Sequence, residues 1–359
     1  MDHAKLLAEY DIYGATLTPY GNGHINSTFL VDNGKKYVLQ KINTNVFPEP
    51  ERLMESIKLV TDHIRAKLSD IGEDTERGTL SIARTKDGRL CTFTDDGECY
   101  RVLNFIDGIS HDNADDVTLL YRAAKAYGKF QKLLSDFPAE KLFEVIPDFH
   151  NTPKRFKTFE KSLAENKSGR ADTAKEEIDF VLSMKNEISY VTDGIADGSI
   201  PLRVTHNDTK LNNFLFDRDS GECLCLIDLD TIMPGSLLYD FGDALRVGAS
   251  SAAEDEADLD KVHFRPEAFE QFARGFLESA KNDLSKREIE LLPYSEMLLT
   301  FECGMRFLTD YIDGDTYFKT AYPEHNLVRA RNQFALVREI KEKLPELNAL
   351  VSRLIEEIK

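Results

Sequence analysis

One short segment, residues 206–213, constrains the fold of this chain more than any other. It reads His-Asn-Asp-Thr-Lys-Leu-Asn-Asn, so that Asp208 is followed five residues later by Asn213. Fifteen residues beyond Asn213, the apolar run 225–227 ends in Asp228. An apolar run that ends in Asp is typical of a buried strand that delivers a carboxylate to a metal ion. The two segments therefore predict a loop and a strand end that both present hard oxygen atoms.

The loop has the spacing H-x-D-x4-N, which is the catalytic-loop pattern of protein-kinase-like phosphotransferases. In that chemistry Asp208 accepts the proton of the attacking hydroxyl, and Lys210 neutralises the phosphoryl group in flight. Asn213 and Asp228 are the predicted ligands of the Mg²⁺ that bridges the nucleotide phosphates, because Mg²⁺ prefers oxygen donors and keeps several waters. With a base already supplied, His206 is expected to be a structural hydrogen-bonding residue.

A second candidate for the metal aspartate lies in the triplet Asp240-Phe241-Gly242, which matches the D-F-G of protein kinases. It lies 27 residues after Asn213, follows a Pro-Gly pair, and opens a predicted helix. Asp228, in contrast, ends a predicted buried strand. We therefore expect Asp228 to bind the metal, and Asp240 to cap the helix or brace the loop.

The segment Gly21-Asn22-Gly23 is a candidate phosphate-binding turn, because glycines let backbone amides approach an anion without a side chain in the way. An Asn-Gly pair is equally typical of a plain hairpin turn. The residues that follow, His24 and Asn26, are expected to face either the phosphates or the acceptor.

The strand expected to carry a phosphate-binding lysine reads Tyr-Val-Leu-Gln-Lys over residues 37–41. Alternation places Gln40 and Lys41 on opposite faces of that strand. Either Lys41 contacts the phosphates, or Gln40 occupies the lysine position and contacts them by a hydrogen bond. Glu51 or Glu55 on the following helix is the expected ion-pair partner.

The pattern of apolar residues predicts an α+β protein with a bilobal, protein-kinase-like fold. Residues 1–106 are expected to form a β-rich nucleotide-binding lobe, with one helix over 48–68 and further strands over the ranges 79–84, 89–94 and 98–106. Residues 107–359 are expected to form a mainly helical lobe, interrupted by strands near 213–217 and 222–229. The hinge near 103–109 is the expected adenine-binding segment, and we assign Asn104 to the nucleotide site.

The formal net charge of −18 argues against nucleic acid or an anionic membrane as a partner, since both require a basic surface. It also implies that ATP is met by a local cationic pocket and by a metal ion. No apolar run reaches the length of a membrane span, so we expect a cytoplasmic protein. We expect a monomer or a weak homodimer whose partners are ATP and a small sugar.

These motifs together resemble those of the aminoglycoside phosphotransferase and choline kinase superfamily over essentially the whole chain. Most of its members have a lysine where this chain has Gln40. Within the superfamily, several longer runs resemble the N-acetylhexosamine 1-kinases, which phosphorylate the anomeric hydroxyl of N-acetylglucosamine or N-acetylgalactosamine. Those runs are residues 21–26, 200–213, 227–236, 302–308 and 322–329.

The resemblance implies ATP and Mg²⁺ as cofactors and a sugar as the acceptor. It also implies a set of residues that bind the acceptor, of which Glu302 and Arg306 lie one turn apart on a predicted helix. The full set is His24, Asp230, Glu302, Arg306 and Tyr317.

Two other functions are open at this stage. One is a kinase of another small hydroxylated substrate, such as an aminoglycoside, choline or another amino alcohol, which the negative net charge would suit. Its binding site should show several carboxylates or an aromatic cage. The other is a catalytically weak nucleotide-binding protein, which Gln40 would suit and which the retained Asp208, Asn213 and Asp228 disfavour.

Overall fold

A computed structural model describes residues 3–21, 25–112 and 116–358 of the chain. Contacts within the chain divide it into two compact units. The first unit comprises Met1–Ser110, Leu133–Pro147 and Phe214–Pro234, and the second comprises His111–Lys132, Asp148–Asn213 and Gly235–Lys359. The predicted lobes 1–106 and 107–359 remain a prediction.

The first unit is built on a five-stranded antiparallel sheet with strand order β1-β2-β3-β5-β4. Helix α1, His3–Ala8, packs on one face of this sheet through Leu6 and Leu7, which join the core formed by Val31, Leu39 and Val102. The strands are β1 Thr16–Pro19, β2 Ser27–Asp32, β3 Lys36–Ile42, β4 Thr92–Phe93 and β5 Cys99–Asn104.

The predicted hairpin of β2 and β3 is present, and its turn contains Gly34 at a φ of +97°. Two of the predicted strands are shorter than expected. Residues 79–84 make only an isolated bridge, between Ile82 and Leu103, and the strand predicted over 89–94 is reduced to β4. A short apolar run can have the alternation of a strand and still lack a neighbouring strand to complete its hydrogen bonds.

Helix α2, Pro50–Asp70, is the helix predicted over 48–68. Pro50 stands in its first turn, where its missing N–H costs no hydrogen bond. Leu53, Ile57, Val60 and Ile64 are all buried, as their helical spacing predicted.

Two short strands that belong to the first unit follow the 206–213 segment. They are β7 Phe214–Phe216 and β8 Cys223–Leu226, and they pair as an antiparallel hairpin. Ile109 bonds to Phe216 through both backbone groups, at 2.8 and 2.7 Å. Gly108 allows this approach, because a Cβ there would lie 2.6 Å from the Leu215 side chain.

The second unit is mainly helical, as predicted. Its helices are α3 Val117–Leu133, α4 Thr152–Glu165, α5 Lys175–Ser183, α6 Tyr190–Asp197, α7 Leu237–Gly248, α8 Pro266–Ala280, α9 Lys286–Asp313 and α10 His325–Glu357. The remaining strands among the described residues are β6 Arg203–Thr205 and β9 Met233–Gly235. In the part of the chain that the structure describes, no helix is both long and apolar enough to cross a membrane.

Candidate active site

The 206–213 loop begins directly after β6 and ends in a single 3-10 turn, Leu211–Asn213. Asp208 is about one-third exposed, and Lys210 Nζ lies 3.0 Å from its Oδ2. The Asn213 amide donates from Nδ2 to Asp208 Oδ2 at 2.9 Å and to the Asp208 carbonyl at 2.8 Å. The three residues that the pattern predicted to act together are therefore in contact, and the amide oxygen of Asn213 is the atom left for a cation.

A buried carboxylate, Asp240, holds the start of this loop. Its Oδ2 accepts the backbone N–H of His206 at 2.8 Å, and its Oδ1 accepts that of Asn207 at 2.6 Å. Asn207 has a φ of +64°, a conformation that Asn tolerates better than most residues. The side chain of Asp240 thus compensates a strained turn by satisfying two buried amide groups.

A tyrosine from α3 completes the surroundings of Asp240. Tyr127 OH donates to Asp240 Oδ2 at 2.9 Å, and Gln131 on the same helix donates to Tyr127 OH and to the Val204 carbonyl. Burial raises the pKa of Asp240, while the His206 charge and the amide donors oppose that rise. Burial, followed by the charge of Asp240, raises the pKa of Tyr127 well above its usual range.

The three residues of the D-F-G triplet have structural roles. Asp240 is fully buried and directs both oxygens at N–H and O–H donors, as the predicted brace requires. Phe241 packs in the second unit against Phe269, Phe272 and Phe276. Gly242 permits close packing of α7 on α9, because a Cβ there would lie 2.3 Å from the Ser295 carbonyl oxygen.

His206 is fully buried, and its Nδ1 accepts the backbone N–H of Asp208 at 3.3 Å. This arrangement agrees with the structural role predicted for it. Thr209 attaches the far side of the loop to α7, because its hydroxyl donates to the Asp240 carbonyl at 2.6 Å.

In the first unit, the chain leaves β8 and enters a tight turn, residues 228–231. Asp228 is exposed and has a φ of +59°. Asp230 is buried and pairs with the guanidinium of Arg101, while its Oδ2 accepts from Asn26 Nδ2 at 2.6 Å. Burial alone would lower the pKa of Arg101, but the charge of Asp230 raises it above its usual value. Asp228 and Asp230 thus differ in their surroundings: Asp228 is exposed, whereas Asp230 is buried and bonded within the unit.

The two candidate residues on β3 face opposite sides of the sheet, as alternation predicted. Lys41 forms an ion pair with Glu98, and not with Glu51 or Glu55 of α2, which are exposed. Gln40 Oε1 accepts from Arg101 Nε at 2.9 Å, and this pair lies side by side in the β3–β5 register.

The other predicted nucleotide residues lie in or near the same unit. Asn104 ends β5, and its backbone N–H bonds to the Ser81 carbonyl at 2.8 Å. Gly21 has a φ of +74°, which a residue with a side chain rarely adopts. Asn22, Gly23 and His24 lie outside the described residues.

The donor set suits Mg²⁺ better than a metal that is held wholly by protein. Among residues 3–21, 25–112 and 116–358, no group of three or more His, Cys, Asp or Glu side chains is arranged to hold a metal ion. Mg²⁺ usually takes one or two protein oxygens and completes its shell with water and substrate phosphates. Asp228 in the first unit and Asn213 in the second each carry an oxygen atom of the kind that Mg²⁺ prefers.

Glu302 on α9 is buried and lies at the centre of a polar cluster in the second unit. Its Oε1 lies 2.9 Å from His150 Nδ1 and 3.4 Å from Arg155 Nε, and its Oε2 accepts from Thr152 Oγ1 at 2.6 Å. Burial raises the pKa of Glu302, but His150, Arg155 and Thr152 together hold it below its ordinary value. Glu302 is therefore an anion surrounded by donors, and not one half of an exposed ion pair on the helix surface.

Arg306, one turn further along α9, lies over two aromatic rings. Its guanidinium carbon is 5.9 Å from the centre of the Tyr317 ring and 5.4 Å from that of Phe318. Burial and then the charge of Arg306 lower the pKa of Arg155. The two guanidinium groups are thus close enough to repel each other, with Tyr317 mostly exposed beside them.

A buried carboxylate also shapes the segment that carries Tyr317. Asp310 accepts the backbone N–H groups of Thr316, Tyr317 and Phe318, at 2.8, 2.8 and 2.9 Å, and the side-chain amide of Asn326 at 2.9 Å. These four bonds fold the chain after α9 back beside Arg306. The position of Tyr317 is consequently set by Asp310, a side chain in the last turn of α9.

Helix α7 connects this cluster to the 206–213 loop within the second unit. The ring of Tyr239 lies 5.3 Å from that of His150, between ring centres. The next residue, Asp240, braces the loop that carries Asp208. Two adjacent residues of one helix therefore contact the Glu302 cluster and the loop.

Several residues of these clusters could not be found from the sequence. Arg101 lies within an apolar strand and has no motif around it, and its ion-pair partner is 129 residues away. His150 and Arg155 lie about 150 residues from Glu302 and carry no spacing signal. The sequence could have predicted a role for Asp310 in a turn, since it precedes the turn-forming run Asp-Gly-Asp-Thr at 313–316.

The sequence model of the phosphotransferase enzyme family matches residues 16–275 of this chain. The match includes the sheet of the first unit, the 206–213 loop, Asp228 and Asp240. Because it spans well over half of the chain, the chain belongs to the phosphotransferase enzyme family. The resemblance to the aminoglycoside phosphotransferase and choline kinase superfamily is confirmed at that level.

Solved structures of known proteins share this fold at low sequence identity. A microcompartment-associated aminopropanol kinase is 15% identical with a TM-score of 0.61, and the match covers 96% of this chain and 98% of that chain. A choline kinase from Cryptosporidium parvum is 14% identical with a TM-score of 0.55, over 96% and 94% of the two chains. A spectinomycin phosphotransferase in complex with ADP and spectinomycin is 14% identical with a TM-score of 0.55, over 96% and 98%. The predicted α+β, protein-kinase-like fold is confirmed.

Proposed function

We propose that this phosphotransferase uses ATP and Mg²⁺ to phosphorylate the anomeric hydroxyl of an N-acetylhexosamine. In this proposal Asp208 orients the acceptor hydroxyl and takes its proton, and Lys210 screens the charge of the transferred group. The amide oxygen of Asn213 and the carboxylate of Asp228 ligate Mg²⁺. The candidate nucleotide residues remain Gly21, Asn22, Gly23, Gln40, Lys41 and Asn104.

The observation that carries the proposal is the cluster around Glu302, which shares helix α7 with the 206–213 loop. It contains two guanidinium groups and one carboxylate, and that carboxylate already has His150, Thr152 and Arg155 around it. Arg306 occupies the aromatic faces that would otherwise attract an ammonium ion. The local charge thus disfavours a cationic acceptor, although the chain as a whole carries −18.

The same cluster offers hydrogen bonds of the kind that a neutral sugar needs. Because an ionised carboxylate only accepts, His150 Nδ1 carries the proton toward Glu302, and Nε2 is the second polar atom of the ring. This Nε2 atom is buried and has no partner among the described residues. A sugar hydroxyl would satisfy it, while the rigid donors of Arg306 suit an N-acetyl carbonyl.

An acceptor panel tests the proposal most directly. We expect N-acetylglucosamine and N-acetylgalactosamine to drive ATP consumption and to yield an anomeric phosphate detectable by ³¹P NMR. Glucosamine lacks the acetyl carbonyl and exposes an ammonium group in its place, so it should be a much poorer acceptor. Faster turnover of glucosamine, choline or an aminoglycoside would instead support an amine kinase, and no turnover with any acceptor would support a nucleotide-binding protein.

Arg306→Ala supplies the matching test on the protein. We expect it to raise the KM for the sugar by about 10-fold or more, since a charged hydrogen bond contributes about 1.5–3 kcal/mol. The KM for ATP should change little. Arg306→Lys keeps the charge but loses the planar set of donors, so it should recover only part of the loss. Unchanged sugar kinetics in both variants would remove Arg306 from the acceptor site.

A further inference from the structure

The sheet of the first unit contains a row of polar side chains on the face opposite to its main core. Thr28, Gln40 and Arg101 are direct neighbours on β2, β3 and β5. Gln40 Nε2 donates to Thr28 Oγ1 at 3.2 Å, and Gln40 Oε1 accepts from Arg101 Nε at 2.9 Å. The row therefore ends in a cationic side chain, Arg101, on the strand next to Gln40, and Gln40 occupies the position where most members of the superfamily have a lysine.

Arg101 is among the largest fully buried side chains of the chain. Its Nη1 group pairs with Asp230, and the two side chains are only 2% and 5% exposed. The same Nη1 group lies 3.7 Å from the sulfur of Met54 on α2. This guanidinium is thus closed off from solvent and connects the sheet to the 228–231 turn.

Asp230 is held on its other side as well. Its Oδ2 accepts from Asn26 Nδ2, and Asn26 Oδ1 in turn accepts the backbone N–H of Asn43 at 2.9 Å. Asn26 lies just before β2, close to the glycine-rich segment at 21–23. The network joins the entry to β2, the row on the sheet, and the turn that begins with Asp228.

A buried ion pair is a poor way to gain stability alone, because desolvation of the two charges offsets most of their attraction. The pair does, however, fix the position of the Asp230 side chain. Asp228 has a left-handed backbone and lies two residues before Asp230, so a fixed Asp230 leaves the Asp228 carboxylate few positions to adopt.

We propose that Arg101 is a positioning residue for Mg²⁺–nucleotide binding, which sets the 228–231 turn through Asp230 and Asn26. This rests on the proposed function only in the assignment of Asp228 to the metal, and not on the identity of the acceptor. Arg101 does not touch the phosphates, since it is fully buried. Asp230 takes part through its bonds to Arg101 and Asn26.

The test measures Mg²⁺-dependent binding of ADP by calorimetry, without any acceptor, alongside the unfolding temperature of each unliganded protein. The variants are Arg101→Met, Arg101→Lys and the double variant Arg101→Met/Asp230→Leu. The double variant removes both buried charges and should recover the unfolding temperature that Arg101→Met loses. Arg89→Met is the control, because Arg89 forms another Arg–Asp pair in the same unit, with Asp87 at 2.7 Å.

We expect Mg²⁺–ADP affinity to fall about 10- to 100-fold in Arg101→Met and in the double variant, the usual effect of losing support behind a metal ligand. Arg101→Lys should recover part of it, and Arg89→Met should bind as the unmodified protein does. A double variant that regains both stability and Mg²⁺–ADP affinity would overturn the proposal and leave the pair a structural one. Because no acceptor is present, these ADP affinities and unfolding temperatures do not depend on which acceptors are phosphorylated. A failure of one proposal can therefore be distinguished from a failure of the other.

Discussion

The 206–213 loop and the 228–231 turn each present an aspartate, and each contains a residue with a left-handed backbone, Asn207 in the loop and Asp228 in the turn. They are stabilised by opposite chemistry. In the loop, the buried anion Asp240 binds backbone amides directly. In the turn, the buried cation Arg101 binds the side chain of Asp230. The bonds that hold the loop therefore depend on its main-chain geometry, whereas the bond that holds the turn depends on one particular side chain, Asp230.

This difference determines how each segment responds to mutation. Removing Asp240 leaves two buried N–H groups unsatisfied, whatever the sequence of the loop. Removing Arg101 leaves a buried charge, which a second substitution at Asp230 can eliminate. We therefore expect the fold to tolerate a double substitution in the turn better than the loss of Asp240 beneath the loop.

The largest contrast should come from the two rival metal aspartates. Asp228→Asn tolerates the left-handed backbone and removes the charge, so we expect loss of Mg²⁺-dependent turnover with the unfolding temperature nearly unchanged. Asp240→Ala should instead destabilise the protein, by about 3 kcal/mol, because it removes the acceptor of several buried donors. Turnover against Mg²⁺ concentration and thermal unfolding separate the two effects. A metal-bound structure in which Asp240 holds the ion would reverse the assignment.

The next effect concerns the base on the loop. Asp208→Asn should keep the fold and lower turnover by about 10²–10⁴-fold, which is the range for a positioned base. An anomeric hydroxyl is more acidic than an ordinary alcohol, which favours the lower end of that range. The measurement is the steady-state rate at saturating substrates in a variant with an unchanged unfolding temperature. A rate close to that of the unmodified protein would exclude Asp208 as the base.

The smallest effect is a pH dependence in the Glu302 cluster. A folded pKa held below the ordinary value means that Glu302 stabilises the folded state above the pKa of the unfolded chain, 4.5. That stabilisation is lost as the pH falls below 4.5 and through the folded pKa. Glu302→Gln removes the charge and should cost about 1–2 kcal/mol near neutral pH.

The check on Glu302 is the difference in unfolding free energy between the two proteins as the pH is lowered. We expect that difference to shrink below about pH 4.5. A difference that is constant with pH would show that Glu302 is not held as an anion by His150, Thr152 and Arg155.

Local patterns predicted much of the fold and part of the candidate site. The apolar stripe of α2, the hairpin of β2 and β3, and the brace formed by Asp240 all depend on residues close in sequence or on a recognisable motif. The contacts of Asp208, Lys210 and Asn213 follow from their spacing within one loop. The short strands predicted at 79–84 and 89–94 were less accurate, since a strand exists only where a neighbour completes its hydrogen bonds.

The sequence by itself determined the class of chemistry, because the spacing of a base, a lysine and an amide oxygen is local. It also determined the opposite faces of Gln40 and Lys41, since alternation is a property of any strand. Only the tertiary structure decided where the buried charges go. Arg101 has its partner 129 residues away, and Glu302 has His150 as a partner 152 residues away. A charged side chain can be buried only where the fold supplies its counter-charge, and no local pattern encodes that distance.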